Sequence, residues 1–161
     1  MSGNFVQRGE AACADKFSRA AMALRGGADL VIELPAYSAV NSASEFAFGA
    51  LRTLGEFGLA TDLFFGSETG DLDGLSEAAE HLLEESPEFS DAIKEELAKG
   101  KTYPSAYAAA ARAVKSLQIT DLSRFYGAND ILNVEYIKQL KRVDFKLRPH
   151  SIKRCECGEH D

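Results

Sequence analysis

The chain has 161 residues, 45% hydrophobic and 27% charged, with a formal net charge of −7. That is the size and mixture of one soluble globular domain able to bury its own core. No apolar run nears the ~20 residues of a membrane span, and Met1-Ser-Gly-Asn4 lacks the basic start and apolar block of a secretory signal.

Residues 1–10 are too polar for a core strand and too punctuated by glycine for a helix, and they crowd Asn4, Gln7 and Arg8 into one loop. A helix is predicted over Asp15–Leu24. Phe17, Ala20, Ala21 and Leu24 take the i, i+3, i+4, i+7 spacing of a buried face, with Lys16 and Arg19 on an adjoining exposed face and Gly26-Gly27 as the stop. Asp29–Leu34 reads as a strand, its Leu30-Val31-Ile32 run suited to a sheet covered on both faces, and Pro35 closes it. Ser42-Ala-Ser-Glu45 is a capping-box pattern for a helix that turns Phe46, Ala50 and Leu54 inward and stops near Gly55 and Gly58. Leu63, Phe64 and Phe65 make an apolar run long enough for a buried strand, Asp62–Phe65, and too short for a helix. It ends at a Gly66-Ser67-Glu68 turn, ahead of a helix that begins near Asp71 and Asp73. Strand, helix and strand on such short joints imply parallel crossovers.

The middle third is helical. Leu75, Ala78, Ala79 and Leu82 mark one helix. Ser86-Pro87 opens a second with an inward row of Phe89, Ile93 and Leu97 and Gly100 at its end, and Tyr103-Pro104 starts an alanine-rich third through Leu117. None is long enough to stand alone, so they form an inserted layer. A loop over Asp121–Asn129 follows, with Asn129 placed as N-cap of a helix to about Lys141. Val143–Leu147 is a last strand, and Pro149–Arg154 leaves it.

Acid is concentrated between Glu68 and Glu96, a face that repels a phosphate backbone. Lys138, Lys141, Arg142, Lys146, Arg148, Lys153 and Arg154 make the tail basic, which suits either an anionic ligand or a solvated helix face. Cys155, Cys157 and His160 fall short of a zinc set, since Cys13 is the one other cysteine, so no metal is expected. The thiols read as reduced and cytoplasmic. Ser67 has no evident histidine partner, and neither a Gly-x-Gly-x-x-Gly turn nor a Walker lysine loop occurs. What remains is an α/β sheet with three polar turns, at Asn4–Arg8, Gly66–Glu68, and Asn129 with Ser151–Arg154. Such turns converge at one edge of a doubly wound sheet and suit a nucleotide or another anion.

Several blocks carry a resemblance: residues 1–10, Asp15-Lys16 with Arg19, Ala28–Pro35, Ser44–Ala50, Phe65-Gly-Ser-Glu68, Asn129-Asp-Ile-Leu132, Ile152-Lys-Arg154, and the closing Gly158 with His160-Asp161. In this order they resemble the bacterial tRNA(Met) cytidine acetate ligases, with Leu75–Leu117 matching loosely. The resemblance implies a Rossmann-like three-layer parallel sheet of the HxGH nucleotidyltransferase type with an inserted helical layer over about 70–118. Residues 1–161 would form a partial catalytic domain, its first strand and HxGH loop expected before Met1 and its RNA-binding portion beyond Asp161. It implies an enzyme that makes acetyl-adenylate from ATP and acetate, magnesium accompanying the nucleotide. The acetyl group then passes to the wobble cytidine of elongator tRNA(Met), giving N4-acetylcytidine.

Carried over by position, Gly66, Asn129 and Arg154 resemble ATP contacts, and Asn4, Gln7 and Arg8 resemble the loop beside the reacting acetate. Asn133 stands where a glycine is commoner. Without the HxGH loop the chain alone is expected to be inactive, and its sheet seam invites self-association. A non-catalytic nucleotide-binding or assembly module, and a related adenylyltransferase with another substrate, are the alternative readings.

Overall fold

The computed structural model describes residues 1–7, 9–83, 87–102, 105–106, 109–110, 113, 125, 127–143 and 145–155. The chain divides into two compact units, Met1–Ala60 and Thr61–Asp161.

In the first unit, helix α1 (Lys16–Arg25) starts where expected, because the Asp15 carboxylate accepts the N–H groups of Phe17 at 2.9 Å and Ser18 at 3.0 Å. Its apolar stripe is not a core face: no residue of α1 is buried, and Phe17 is 76% exposed. Arg19 is likewise half-buried rather than free, donating to the carbonyls of Gly3 and Ala14. Asp29–Leu34 is extended but is not a strand. Its ladder partner is a single residue: Met1 N donates to Ile32 O at 2.7 Å and Leu34 N to Met1 O at 2.8 Å. With no strand beside it among the described residues, the apolar run is not covered on both faces, and Leu30 is exposed.

Pro35 opens a four-residue helix α2 (Ala36–Ala39) instead of ending a strand. Helix α3 (Ala43–Phe57) begins at Ser42, whose Oγ accepts Glu45 N at 3.3 Å, and ends on Gly58 at φ 64. The Ser42 N–H goes to Asn41 Oδ1 at 2.8 Å. The buried face of α3 is Ala47, Gly49 and Leu51 in place of the predicted Phe46, Ala50 and Leu54. Contact with α2 decides this, since a Cβ at Gly49 would collide with the Ser38 side chain.

The second unit holds the sheet. Strand β1 (Asp62–Ser67) pairs in parallel with β2 (Arg148–Lys153), Gly66 opposite Ile152 and Ser67 opposite Lys153. These are the two strands among the described residues. The last strand is therefore Arg148–Lys153 and not Val143–Leu147, and β1 runs on through Gly66 and Ser67. Between them come α4 (Leu72–Leu83), α5 (Pro87–Ala98) and α6 (Ala128–Val143).

One face of β1, Leu63 and Phe65, joins Leu75, Ala78, Ala79 and Leu82 of α4, Phe89 of α5, and Val134 and Ile137 of α6 in one apolar core. Ile93 packs at its margin while Leu97 is exposed, so the predicted α5 row is two-thirds right. The other face is open: Phe64 is 63% and Ile152 57% exposed. The alanine-rich third helix lies largely outside the described residues, though residues 105–106, 109–110 and 113 are helical, with Ala106 and Ala110 buried.

Helix α6 is buried nearly all round, including Asp130, Asn133, Glu135, Lys138 and Gln139. Lys138 and Glu135 pair at 3.0 Å inside the fold, with side chains 4% and 6% exposed. Much of the basic tail is thus already matched, Lys138 with Glu135, Lys141 with Glu80 and Arg148 with Asp62.

Candidate functional site

The carboxyl ends of β1 and β2 and the N-terminus of α6 meet in the second unit. In a parallel α/β fold this is the edge where strand ends, helix N–H groups and the helix dipole face one another.

Gly66 is the last but one residue of β1, on the open face. A Cβ built there would touch the Arg154 side chain at 3.4 and 3.6 Å, ordinary contact distances, so the fold itself would tolerate a side chain. Arg154 follows directly on β2, its N–H bonded to Ser67 O at 2.8 Å, so the strand pairing delivers its side chain onto Gly66. Asn133, the residue that departs from the resembled pattern, donates from Nδ2 to Gly66 O at 2.9 Å and ties α6 to the strand.

Asn129 is not the N-cap of α6. The helix begins at Ala128, and Ile131 N closes its first turn on Gly127 O at 3.0 Å. Asn129 lies in the first turn and donates to Glu68 Oε1 from its backbone N at 3.2 Å and from Nδ2 at 2.6 Å. Asp130 N donates to Glu68 Oε2 at 2.8 Å. Burial pushes the Glu68 carboxyl up, but the bonds from the Asn129 side chain and from the two main-chain N–H groups outweigh it and hold the group below its ordinary value. The Asp130 carboxylate, fully buried, accepts from the Ser67 hydroxyl, from Glu68 N at 3.1 Å and from Thr69 N at 3.2 Å. Ser67 Oγ in turn accepts Gly70 N at 2.8 Å. Gly70 sits at φ +73, a conformation that glycine adopts without cost, against Lys153.

The structure therefore brings Gly66, Asn129 and Arg154 to one edge, which joins two of the three predicted turns. Asn4 and Gln7 belong to the first unit, and Arg8 lies outside the described residues. The Asn4 loop closes on itself through Ala12 N to Asn4 O at 2.9 Å, and Asn4 Oδ1 accepts Lys16 N at 3.2 Å at the start of α1. Sequence reasoning missed Asp130 and the role of Asn133. The available signal was Asn129-Asp130 at a helix start with Ser67-Glu68 at a strand end, two adjacent polar pairs at the ends of elements.

At the opposite end of the strands, Asp62 accepts from Thr61 Oγ1 at 2.7 Å and from Arg148 at 2.9 Å, and meets His150 Nε2 at 2.7 Å. Led by the Thr61 hydroxyl, these bonds hold the Asp62 carboxyl well below the usual carboxylate range. His150 is thus tied into the sheet, stacked on Phe64 at 4.5 Å. Of the expected non-zinc set, Cys155 is a free, exposed thiol, and Cys157 and His160 lie outside the described residues. Among the described residues no helix is long and apolar enough to cross a membrane.

A parallel strand pair whose carboxyl edge carries a glycine, a helix N-terminus and an arginine is the arrangement at which α/β proteins bind nucleotides and other anions. Residues 1–161 match HIGH Nucleotidyl Transferase, and the chain belongs to that family. It is similar to the tRNA(Met) cytidine acetate ligase of Caldanaerobacter subterraneus subsp. tengcongensis, 46% identical over 158 residues that cover 96% of this chain and 38% of that protein. The protein of the same name from Thermotoga maritima is 42% identical over 164 residues, covering 100% of this chain and 39% of its own length. The crystal structure of Thermotoga maritima TmcAL bound with alpha-thio ATP matches with a TM-score of 0.82 at 41% identity, across 100% of this chain and 40% of that one. The chain thus spans about two fifths of the length of these relatives.

Proposed function

We propose that residues 1–161 are the nucleotide-handling part of an ATP-dependent acetate ligase that modifies elongator tRNA(Met) in the cytoplasm. They form a partial catalytic domain with a helical insertion over about 70–118. In this reading an acetate oxygen attacks the α-phosphate of ATP and pyrophosphate leaves; the N4 amine of the wobble cytidine then attacks the acetyl carbon of the acetyl-adenylate, AMP leaves, and the amine gives up a proton. Gly66 lets the nucleotide approach the main chain. Arg154 meets the phosphates as a planar, permanently charged donor, and Asn129 adds a contact from the first turn of α6. Asn4, Gln7 and Arg8 flank the acetate, and magnesium accompanies the nucleotide. The transferred group is a reactive mixed anhydride, so the site must also exclude water while it exists. The tRNA docks mainly through regions outside this chain, in keeping with its acidic balance. The open edge of β1 is where a second copy would pair.

The observation that carries this reading is the Arg154 side chain lying on Gly66 at the edge where α6 begins. It gains support from the match of the whole chain to a relative crystallised with an ATP analogue. The test is a chimera in which residues 1–161 replace the matching stretch of the Thermotoga maritima protein, incubated with ATP, acetate and elongator tRNA(Met). Mass spectrometry of the nucleosides should show N4-acetylcytidine, lost with Arg154→Ala and with Gly66→Val. A folded chimera that makes none sinks the proposal.

A further inference from the structure

Two carboxylates at the carboxyl edge are exchanged between segments far apart in the chain. Glu68, just after β1, caps the first turn of α6 by accepting Asn129 N at 3.2 Å, Asn129 Nδ2 at 2.6 Å and Asp130 N at 2.8 Å. Asp130, in that first turn, caps the loop after β1 by accepting Glu68 N at 3.1 Å, Thr69 N at 3.2 Å and the Ser67 hydroxyl. A local capping box trades two such bonds within four residues. Here the trade is made between residues 61 and 62 positions apart. The fit is close: a Cβ at Gly127 would collide with the Glu68 carboxylate, and the Asp130 side chain has no exposure.

We infer that Glu68 and Asp130 are positioning residues for nucleotide binding, their crossed caps fixing Gly66 and Asn129 in the mutual placement a nucleotide meets. The inference rests on the reading of Gly66, Asn129 and Arg154 as the nucleotide site. Neither acid is offered as a proton carrier, because both oxygens of each already accept hydrogen bonds. Glu68 acts on the nucleotide through Asn129, and Asp130 acts through the 67–70 turn that follows Gly66.

Positioning and plain charge point in opposite directions, which makes the inference testable. A carboxylate near a triphosphate repels it, so on charge alone Glu68→Gln would tighten ATP binding. If geometry governs, the amide turns an N–H toward the N–H groups of Asn129 or Asp130, opens the clasp and weakens binding.

Calorimetry with ATP on the chimera that carries residues 1–161, its Glu68→Gln, Asp130→Asn and Arg154→Ala variants, and amide hydrogen exchange on each, decides the matter. Glu68→Gln should melt cooperatively and keep the exchange of the α4 core. It should also speed exchange at Asn129 and Asp130 and raise the Kd for ATP about tenfold or more. Glu68 is exposed, so this variant decides alone if Asp130→Asn fails to fold. Unchanged or tighter ATP binding by Glu68→Gln overturns the positioning role. If Arg154→Ala weakens binding in the same series, the site reading survives that result. A parent chimera that does not bind ATP, or an Arg154→Ala chimera that binds as well as the parent, removes the site reading and the inference together.

Discussion

Truncating Asp130 to alanine removes a fully buried carboxylate and strands the donors aimed at it. Three bonds are lost, from the Ser67 hydroxyl, Glu68 N at 3.1 Å and Thr69 N at 3.2 Å. The hydroxyl can turn to Thr69 Oγ1 at 3.2 Å, so the cost falls on two main-chain N–H groups. A stranded buried donor costs ~1–3 kcal/mol, and these two lie in a part-buried turn, so each belongs in the lower half of that range. Relief from burying the charge works the other way and trims the sum to about 2–3 kcal/mol. For a chain of this size that is a fall of about 4–12 °C in Tm. Urea unfolding followed by circular dichroism measures it, with Ser67→Ala as the companion that deletes the hydroxyl alone. A loss below ~0.5 kcal/mol for Asp130→Ala would mean that the two N–H groups reach water in the folded chain, and the argument from stranded donors would be wrong.

Three further outcomes follow from other groups. Lys138→Met leaves the Glu135 carboxylate buried without its ion-pair partner and should cost ~3–5 kcal/mol in urea unfolding, whereas Lys138→Met with Glu135→Leu should recover most of that loss. Asp62 is held below its ordinary value, so its stabilisation is complete above the unfolded carboxylate pKa and is lost as pH falls. Asp62→Asn should therefore flatten the fall in Tm from about pH 4 downward, and an unchanged acid limb would count against the cluster. Burial pushes the Tyr136 hydroxyl up to about 12, which stabilises the fold below the unfolded value near 10 and is lost as pH rises toward 12. Tyrosinate absorbance should show a late-titrating component that Tyr136→Phe deletes.

Strand β1 and helix α4 are legible in the sequence because each has a local signal, an apolar run of strand length and a 3.6-residue stripe that is buried residue for residue. Strand β2 is not, since Arg-Pro-His-Ser-Ile-Lys has neither an apolar run nor clean alternation, and only pairing with β1 makes it a strand. Asp29–Leu34 is the converse: its composition suits a covered strand, but a strand is defined by its neighbours, and among the described residues its main-chain pairing is with Met1. The α1 stripe fails the same way, because periodicity marks a face and not what covers it. At the site, Gly66, Asn129 and Arg154 are visible as turn residues. Their assembly depends on Glu68, Asp130 and Asn133, whose partners lie more than sixty positions away and leave no local trace.

The Asp62 cluster sits at one end of the strand pair and Gly66 with Arg154 at the other, so a polar latch indexes β2 along β1 like the zero mark of a ruler. The smallest slide that keeps every side chain on its own face is two residues, on the order of 7 Å of travel. Such a slide would pull His150 off Phe64 and carry the arginine past its glycine in a single movement. If Gly66 and Arg154 bind the nucleotide as proposed, substitutions at Thr61, Asp62 or Arg148 have a route to detune ATP affinity from the opposite end of the strand pair.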